Sequence, residues 1–159
     1  MATTDLSSYD KTKVPNAKNF RFGIVVSEWN ESITNGLYNG AILALLENGA
    51  VTENIEKWDV PGSFELIYAT NKMAASGKFD AIISIGSVIK GETKHFDFVC
   101  DGVTQGLKDI NMRYDTPAIF CVLTDDTLEQ SIARSGGKLG NKGVECGVAA
   151  IKMAALKQL

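Results

Sequence analysis

The sequence predicts an α/β fold, a three-layer sandwich in which a four-stranded parallel sheet lies between two layers of helices. Two observations predict it. Apolar segments typical of strands alternate with segments of helical periodicity along most of the chain. Residues 80–86 (DAIISIG) have the continuous apolar run of a strand buried on both faces. Strands that alternate with helices form a parallel sheet through right-handed crossovers, so the predicted fold is flavodoxin-like. Ligands bind such sheets beyond the carboxyl ends of the strands.

The first half of the chain predicts two strands and two helices. Residues 20–27 (FRFGIVVS) form the first strand, and residues 30–48 have apolar side chains at helical spacing, closed by Asn48-Gly49. Residues 55–60 form the second strand, which ends at Pro61-Gly62. Residues 63–76 form the second helix, with Ser63 as its N-cap, and this helix ends before a glycine.

The second half repeats the pattern. After the strand at 80–86 the chain turns at Gly91, and Thr93 is the predicted N-cap of a helix that runs through Leu107. A fourth strand (117–123), a short helix (126–133), a glycine-rich stretch (134–143) and a last helix (144–159) follow in that order.

Bulk properties exclude several classes of protein. The 159 residues predict a single domain over residues 20–159, preceded by an extended polar arm over residues 1–19. The 45% hydrophobic and 22% charged residues are ordinary for a soluble globular protein. The net charge of −3 argues against nucleic acid or a membrane surface as a partner.

Three cysteines and one histidine limit the redox and metal chemistry of the chain. Cys100, Cys121 and Cys146 form no CxxC pair and no signal peptide precedes them, so we expect reduced thiols in a cytoplasmic protein. A lone histidine without clustered cysteines argues against a transition-metal site. We therefore expect no metal.

The segment after the third strand predicts a site for phosphate and for proton transfer. A turn at Gly91 followed by a helix start places backbone N–H groups and the positive end of a helix dipole at the carboxyl edge of the sheet. His95 lies one turn into that helix, where it is either a proton-transferring group or a structural histidine. Glu92 is repulsive toward a phosphate unless its carboxylate points away or meets a cation.

Other candidates each have two interpretations. Trp29 is either a stacking platform for a planar ligand or an aromatic cover for the sheet edge. Residues 61–65 are either a plain loop or a helix start that contacts a sugar or heterocycle. Arg134 is either a phosphate clamp or a counter-charge for a helix end. Lys142 and Glu145, with Lys138, are either site residues or a solvated surface set.

Four motifs in register closely resemble those of the lumazine synthase family. They are residues 28–30 (EWN), 60–66 (VPGSFEL), 86–99 (GSVIKGETKHFDFV) and 134–145 (RSGGKLGNKGVE). The resemblance covers about residues 20–156. It implies condensation of 5-amino-6-(D-ribitylamino)uracil with 3,4-dihydroxy-2-butanone 4-phosphate, a step of riboflavin biosynthesis that needs no cofactor.

The resemblance also implies a role for each matching residue. His95 transfers protons, Trp29 stacks on the pyrimidine, and residues 63–65 hold the ribityl chain. Gly91, Glu92, Thr93 and Arg134 bind the phosphate, and Lys138 supports the site. The full set implied for the pyrimidine and ribityl groups is Trp29, Asn30, Ser63, Phe64, Glu65, Ser87, Val88, Ile89, Phe120, Lys142 and Glu145.

At three positions this chain differs from the residue that is frequent in the family. Ile67 stands where proline is frequent, Lys90 where arginine is frequent and Phe98 where tyrosine is frequent. We expect none of them to touch the chemistry. The resemblance further implies a homopentamer in which Phe120 and Arg134 complete a neighbour's site. The resemblance also implies a sixty-subunit icosahedral shell, because pentamer-only relatives often carry an insertion in the stretch 136–143, which is short here. The N-terminal arm can add a strand to a neighbouring subunit's sheet.

Three alternative functions are compatible with parts of this pattern. A flavin-binding electron carrier shares the fold but needs a phosphate loop rich in serine, threonine and glycine after the first strand, where this chain has Glu28-Trp29-Asn30. A phosphoacceptor signalling module needs an aspartate at the end of the third strand, where Gly86-Ser87 stands. A non-catalytic shell that binds lumazine or flavin is harder to separate from an enzyme, although His95 and Arg134 argue against it.

Overall fold

The computed structural model describes residues 5–159, and it has the predicted three-layer α/β architecture. One four-stranded sheet has the order β2-β1-β3-β4, with every neighbouring pair parallel. Its strands are β1 (Phe22–Ser27), β2 (Ile55–Val60), β3 (Ala81–Ile89) and β4 (Ala118–Asp125). The helices are α1 (Glu31–Glu47), α2 (Leu66–Ala75), α3 (His95–Arg113), α4 (Leu128–Arg134) and α5 (Lys142–Lys157). A small antiparallel hairpin, β5 (Ser135–Gly137) with β6 (Gly140–Asn141), lies between α4 and α5.

The two faces of the sheet carry separate hydrophobic cores. Ile24 and Ile83 belong to the core that α1 and α5 cover, whereas Val25 and Ile82 belong to the core that α2 and α3 cover. Side chains alternate between faces along a strand, so strands that are apolar at every position supply both cores. The carboxyl ends of β1, β2 and β3 consequently emerge together between the two helix layers.

Most element boundaries agree with the predictions to within a few residues. The first strand begins at Phe22 instead of residue 20, and the third strand continues to Ile89, three residues beyond the prediction. The short helix starts at Leu128 because Thr127 caps it through a capping box with Gln130. The last helix starts at Lys142, two residues earlier than predicted.

Two predicted N-caps are wrong. The second helix starts at Leu66 with Glu65 as its N-cap, and the buried hydroxyl of Ser63 has no hydrogen-bond partner among the described residues. The third helix starts at His95 with Lys94 as its N-cap. Thr93 still contributes, because its Oγ1 accepts a 3.3 Å hydrogen bond from the backbone N–H of His95.

The predicted N-terminal arm is described from residue 5. The backbone N–H of Leu6 donates to the Leu139 carbonyl at 3.1 Å, and that of Ala17 donates to the Asn48 carbonyl at 2.9 Å. Ala17 is fully buried in the core under α1 and α5. No helix within residues 5–159 is long and apolar enough to span a bilayer.

Candidate active site

A cavity of about 650 Å³ opens at the carboxyl edge of the sheet. The segments that follow β1 and β2 line it, together with the end of β3 and the start of α3. This is the position that parallel sheets offer to ligands. Nine of the sequence-predicted site residues line it, and they come from four separate segments of the chain. They are Trp29, Asn30, Ser63, Phe64, Glu65, Ser87, Val88, Ile89 and His95.

The turn after β1 places Trp29 at the mouth of the cavity, where 72% of its surface is exposed. Asn30 adopts a left-handed backbone conformation (φ 57°), and its side-chain Nδ2 donates to the Ser87 carbonyl at 2.9 Å. A Cβ on Gly62 would lie 3.3 Å from Trp29 Cδ1 and 2.9 Å from Glu65 Oε2. The glycine therefore lets the indole and the carboxylate approach the same point, so one ligand can meet both.

Two serine hydroxyls in the cavity wall are buried and have no hydrogen-bond partner among the described residues. They are those of Ser63 and Ser87. A Cβ on Gly86 would lie 2.6 Å from Ser63 Oγ, which places this hydroxyl directly over β3. Unsatisfied buried hydroxyls are costly, so they favour a polar ligand or ordered water in the cavity.

The first two turns of α3 form the opposite wall through His95, Phe98 and Val99. Phe98 and Val99, together with Gly62, are lining residues that the sequence-based set omits. Phe98, where the family frequently has tyrosine, is 71% exposed and lines the cavity, and whether it touches the chemistry stays a prediction. Phe98 and Val99 lie three and four residues after His95, which is the spacing of neighbours on one face of a helix. This spacing is the sequence signal that could have predicted both of them as wall residues.

The predicted phosphate turn, residues 91–93, joins the end of β3 to the start of α3. Its residues are exposed and lie beside the cavity without lining it. Lys90, directly before the turn, pairs with Asp126 at 3.7 Å.

Three other predicted residues, Arg134, Lys142 and Glu145, form a second cluster outside this cavity. Arg134 forms an ion pair with Glu145, and its Nη1 donates to the Leu139 carbonyl at 2.7 Å. Lys142 Nζ lies 3.0 Å from the other carboxylate oxygen of Glu145. Lys142 and Glu145 form the i,i+3 pair that the surface-set interpretation expects, and both of them, like Arg134, are partly buried.

Phe120 and Lys138 are also separate from the cavity. Phe120 lies on the edge strand β4 with 37% of its surface exposed, and Lys138 is exposed in the turn of the small hairpin. Within one chain, therefore, nine predicted residues meet in the cavity, and Phe120, Arg134, Lys138, Lys142 and Glu145 do not line it.

Comparison with known proteins gives the family. The sequence model of 6,7-dimethyl-8-ribityllumazine synthase matches residues 19–158. The chain belongs to the lumazine synthase family. It is 65% identical to the 6,7-dimethyl-8-ribityllumazine synthase of Christiangramia forsetii over 99% of this chain and 96% of that protein. The same-named protein of Flavobacterium psychrophilum is 62% identical over 99% and 83% of the two chains. That of Phocaeicola vulgatus is 52% identical over 99% and 95%.

Lumazine synthase family membership confirms the resemblance and the flavodoxin-like fold that the sequence predicts. Within residues 5–159, no three side chains of His, Cys, Asp or Glu come together in an arrangement able to hold a metal ion.

The thiols of this lumazine synthase family member lie in protected surroundings. A hydrogen bond with Cys146, together with complete burial, raises the pKa of the Cys121 thiol. Partial burial and the nearby carboxylates of Asp101 and Asp97 raise the pKa of the Cys100 thiol. Higher thiol pKa values leave less thiolate at neutral pH, so Cys121 and Cys100 are poor nucleophiles, whereas the hydrogen bond with Cys121 lowers the pKa of the Cys146 thiol.

Proposed function

We propose that this chain is a 6,7-dimethyl-8-ribityllumazine synthase of riboflavin biosynthesis. It condenses 5-amino-6-(D-ribitylamino)uracil with 3,4-dihydroxy-2-butanone 4-phosphate and releases phosphate and water. The observation that carries the proposal is the convergence of Trp29, Ser63, Ser87 and His95 on one cavity, in a chain that is 65% identical to a synthase of that name.

The cavity suits a planar, polyhydroxylated substrate. The exposed indole of Trp29 stacks on the pyrimidine. The two unsatisfied hydroxyls, with Asn30 and residues 63–65, bind the ribityl chain and the polar edge of the heterocycle. Val88 and Ile89 lie along that edge.

The chemistry requires positioning and proton transfer. The amine nitrogen attacks the ketone carbon, a C–N bond forms, and the oxygen leaves as water; phosphate then leaves by elimination, and the second nitrogen closes the ring with loss of water. His95 transfers protons in these steps. Positioning contributes roughly 7–11 kcal/mol of the barrier reduction, and one general acid–base group contributes about 10²–10⁴-fold.

Phosphate binding draws on both parts of the predicted site. The turn of Gly91, Glu92 and Thr93 presents the N-terminus of α3 to the anion. Arg134 clamps the phosphate through its guanidinium. Glu145 and Lys142 orient this guanidinium and contact the ribityl chain. Because this cluster lies outside the cavity of its own chain, we propose that it completes the cavity of an adjacent subunit, together with Phe120 and Lys138.

This sharing of residues requires a homo-oligomer. We propose a pentamer, and a sixty-subunit shell because the stretch 136–143 is short. Among the described residues the strand β2 pairs only with β1 and lies at the edge of the sheet, and the N-terminal arm of a neighbour adds a strand there ahead of Ala17, which is buried in the core of its own chain. Residues 20–159 form the catalytic domain. The enzyme works in the cytoplasm without a metal or other cofactor and without nucleic acid or membrane partners.

The test is to mix the purified protein with both substrates and follow the fluorescent lumazine against the spontaneous reaction. We expect a rate above background that falls in His95→Ala and in Arg134→Ala, with native mass spectrometry giving the subunit number. A rate equal to background with tight lumazine binding would contradict the proposal and favour a non-catalytic lumazine-binding shell.

A further inference from the structure

The aromatic side chain of Phe64 lies against a glycine of α3. An ideal Cβ on Gly102 would be 2.8 Å from Phe64 Cε2 and 3.3 Å from Cδ2. At 2.8 Å either the ring or the helix would have to shift, so the Phe64 ring occupies the space that a side chain at position 102 would need. Phe64 also lines the cavity, and this contact is therefore part of the cavity wall.

Helical geometry explains why Gly102 reaches the site. His95, Phe98 and Val99 line the cavity, and Gly102 follows them by one turn on the same side of α3. Phe64, from the segment between β2 and α2, crosses over to meet this position. The ring is 54% exposed, so it can be displaced without opening the core.

Helix stability does not favour a glycine here. Position 102 lies in the interior of a 19-residue helix, where glycine is less favourable than alanine. The benefit of Gly102 therefore has to come from the contact that it permits.

We propose that Gly102 is a positioning residue of the substrate cavity: it seats the Phe64 ring on α3 and so sets the room for the pyrimidine substrate. The proposal rests on the function proposed above. A methyl group at this position pushes the ring off α3 by several tenths of an ångström, and the ring moves into or across the cavity. The pyrimidine and the lumazine product then bind less well.

The chain contains a matched control on the same helix. A Cβ on Gly106 would overlap three side-chain atoms of Ile67, at 2.7 to 2.9 Å. Ile67 is not part of the cavity wall. Gly106→Ala therefore introduces the same methyl group and a comparable overlap one turn further along, with a residue that does not contact the ligand space.

The experiment measures binding of purified lumazine product, by its fluorescence, and steady-state kinetics of the assembled protein. We expect Gly102→Ala to raise the lumazine Kd and the KM of the pyrimidine roughly tenfold, since small misplacements at a site have effects of this order or larger. The KM of the phosphorylated substrate and the melting temperature should change little. We expect Gly106→Ala to change the melting temperature more than the Kd.

A double-mutant cycle then tests whether Gly102 acts through Phe64. Phe64→Leu removes Cε2, the atom with the shortest contact, so we expect it to weaken lumazine binding in the wild-type background and to cost less in the Gly102→Ala background. If Gly102→Ala fails to fold, the double variant, in which the overlap is relieved, is compared with Phe64→Leu alone, and an equal Kd supports the proposal.

Three results would overturn it: a lumazine Kd within about twofold of wild type in Gly102→Ala, an equal loss in Gly106→Ala, or full additivity with Phe64→Leu. Product binding separates this proposal from the proposed function. A wild-type protein that binds lumazine but does not catalyse its synthesis would refute the activity, whereas the role of Gly102 would still be decided by the Kd values.

Discussion

The side chain of Asn30 donates a hydrogen bond from Nδ2 to the Ser87 carbonyl at 2.9 Å, and this bond joins the end of β1 to the end of β3 in the cavity wall. Asn30 is the only non-glycine residue within residues 5–159 that has a positive φ, at 57°. Asparagine tolerates this conformation better than most residues. One residue therefore sets both the direction of the chain after β1 and the position of the Ser87 backbone.

Two substitutions separate these roles of Asn30. Asn30→Gly keeps the backbone conformation and loses the hydrogen bond, so it should lower the free energy of unfolding by about 1 kcal/mol. Asn30→Ala also has to adopt the left-handed conformation, which costs about 1–2 kcal/mol more. Urea unfolding at one protein concentration measures both. Equal stability of the two variants would show that backbone strain has no part in the choice of asparagine.

His95→Ala should reduce turnover by about 10²–10⁴-fold and leave a rate above the spontaneous reaction. The reason is that, in the proposed mechanism, the cavity still positions both substrates when the imidazole of His95 is gone. Stopped-flow mixing with detection of lumazine fluorescence measures the residual rate of the variant. Loss of all measurable rate in a folded, assembled variant would contradict this ordering of positioning over acid–base catalysis.

Arg134→Ala should chiefly raise the KM for the phosphorylated substrate, because it removes the guanidinium that we propose as the phosphate clamp. Arg134→Lys keeps the charge but cannot form the forked contact, so its KM should fall between those of wild type and Arg134→Ala. Lys152→Ala, on the exposed side of α5, removes a positive charge away from the cluster and is the control. An unchanged KM in Arg134→Ala would reject the phosphate clamp.

Asn141 links the start of α5 to α1, and its two side-chain atoms have separate functions. Oδ1 accepts from the Gly143 N–H at 2.8 Å and caps α5, while Nδ2 donates to the Gly36 carbonyl at 2.9 Å. Asn141→Asp keeps the acceptor and should cost about 1 kcal/mol. Asn141→Ala loses both bonds and should cost about 1 kcal/mol more. Chemical unfolding should give the highest free energy of unfolding for wild type, a lower one for Asn141→Asp and the lowest for Asn141→Ala. Any other order would contradict the assignment of Asn141 as the cap of α5.

Cys100 and Cys121 should differ in their reaction with iodoacetamide. Cys100 is partly exposed and should react slowly in the folded protein, whereas Cys121 is fully buried and should react only after unfolding. The raised pKa means that Cys121 favours the folded protein while its thiol is protonated. This contribution to the free energy of unfolding is present below the ordinary thiol pKa of 9.0 and is lost as the pH rises through the higher pKa of the folded state. Peptide mapping by mass spectrometry gives the modified positions. Labelling of Cys121 as fast as Cys100 in folded protein would contradict its burial.

The sequence predicted the order of the elements because local signals specify them. The run of apolar residues in β3 has no polar face to expose, and Asn48-Gly49 ends α1 with Gly49 at φ 97°. The rule that ligands bind at the carboxyl ends of parallel strands then placed the cavity, since it depends only on the order and direction of strands. Nine predicted residues meet there for that reason.

The tertiary structure decided the features that depend on contacts between distant segments. Ser63 resembles an N-cap in sequence, yet α2 begins at Leu66 and the serine hydroxyl lies over Gly86. In the sequence, Phe98 is only a departure from the tyrosine that is frequent in the family. The orientation of α3 places it in the cavity wall. The contact of Phe64 with Gly102 has no local signature either, because it needs the packing of α2 against α3.

The amino-acid sequence by itself thus determined the fold class, the element order and the edge of the sheet at which the cavity opens, because hydrophobic periodicity and turn residues act over a few neighbouring positions. Only the tertiary structure decided that Arg134 pairs with Glu145 away from the cavity of its own chain, and that a glycine on α3 seats an aromatic ring of the cavity wall. Those relationships are set by the packing of helices against the sheet, which joins residues that no sequence spacing connects.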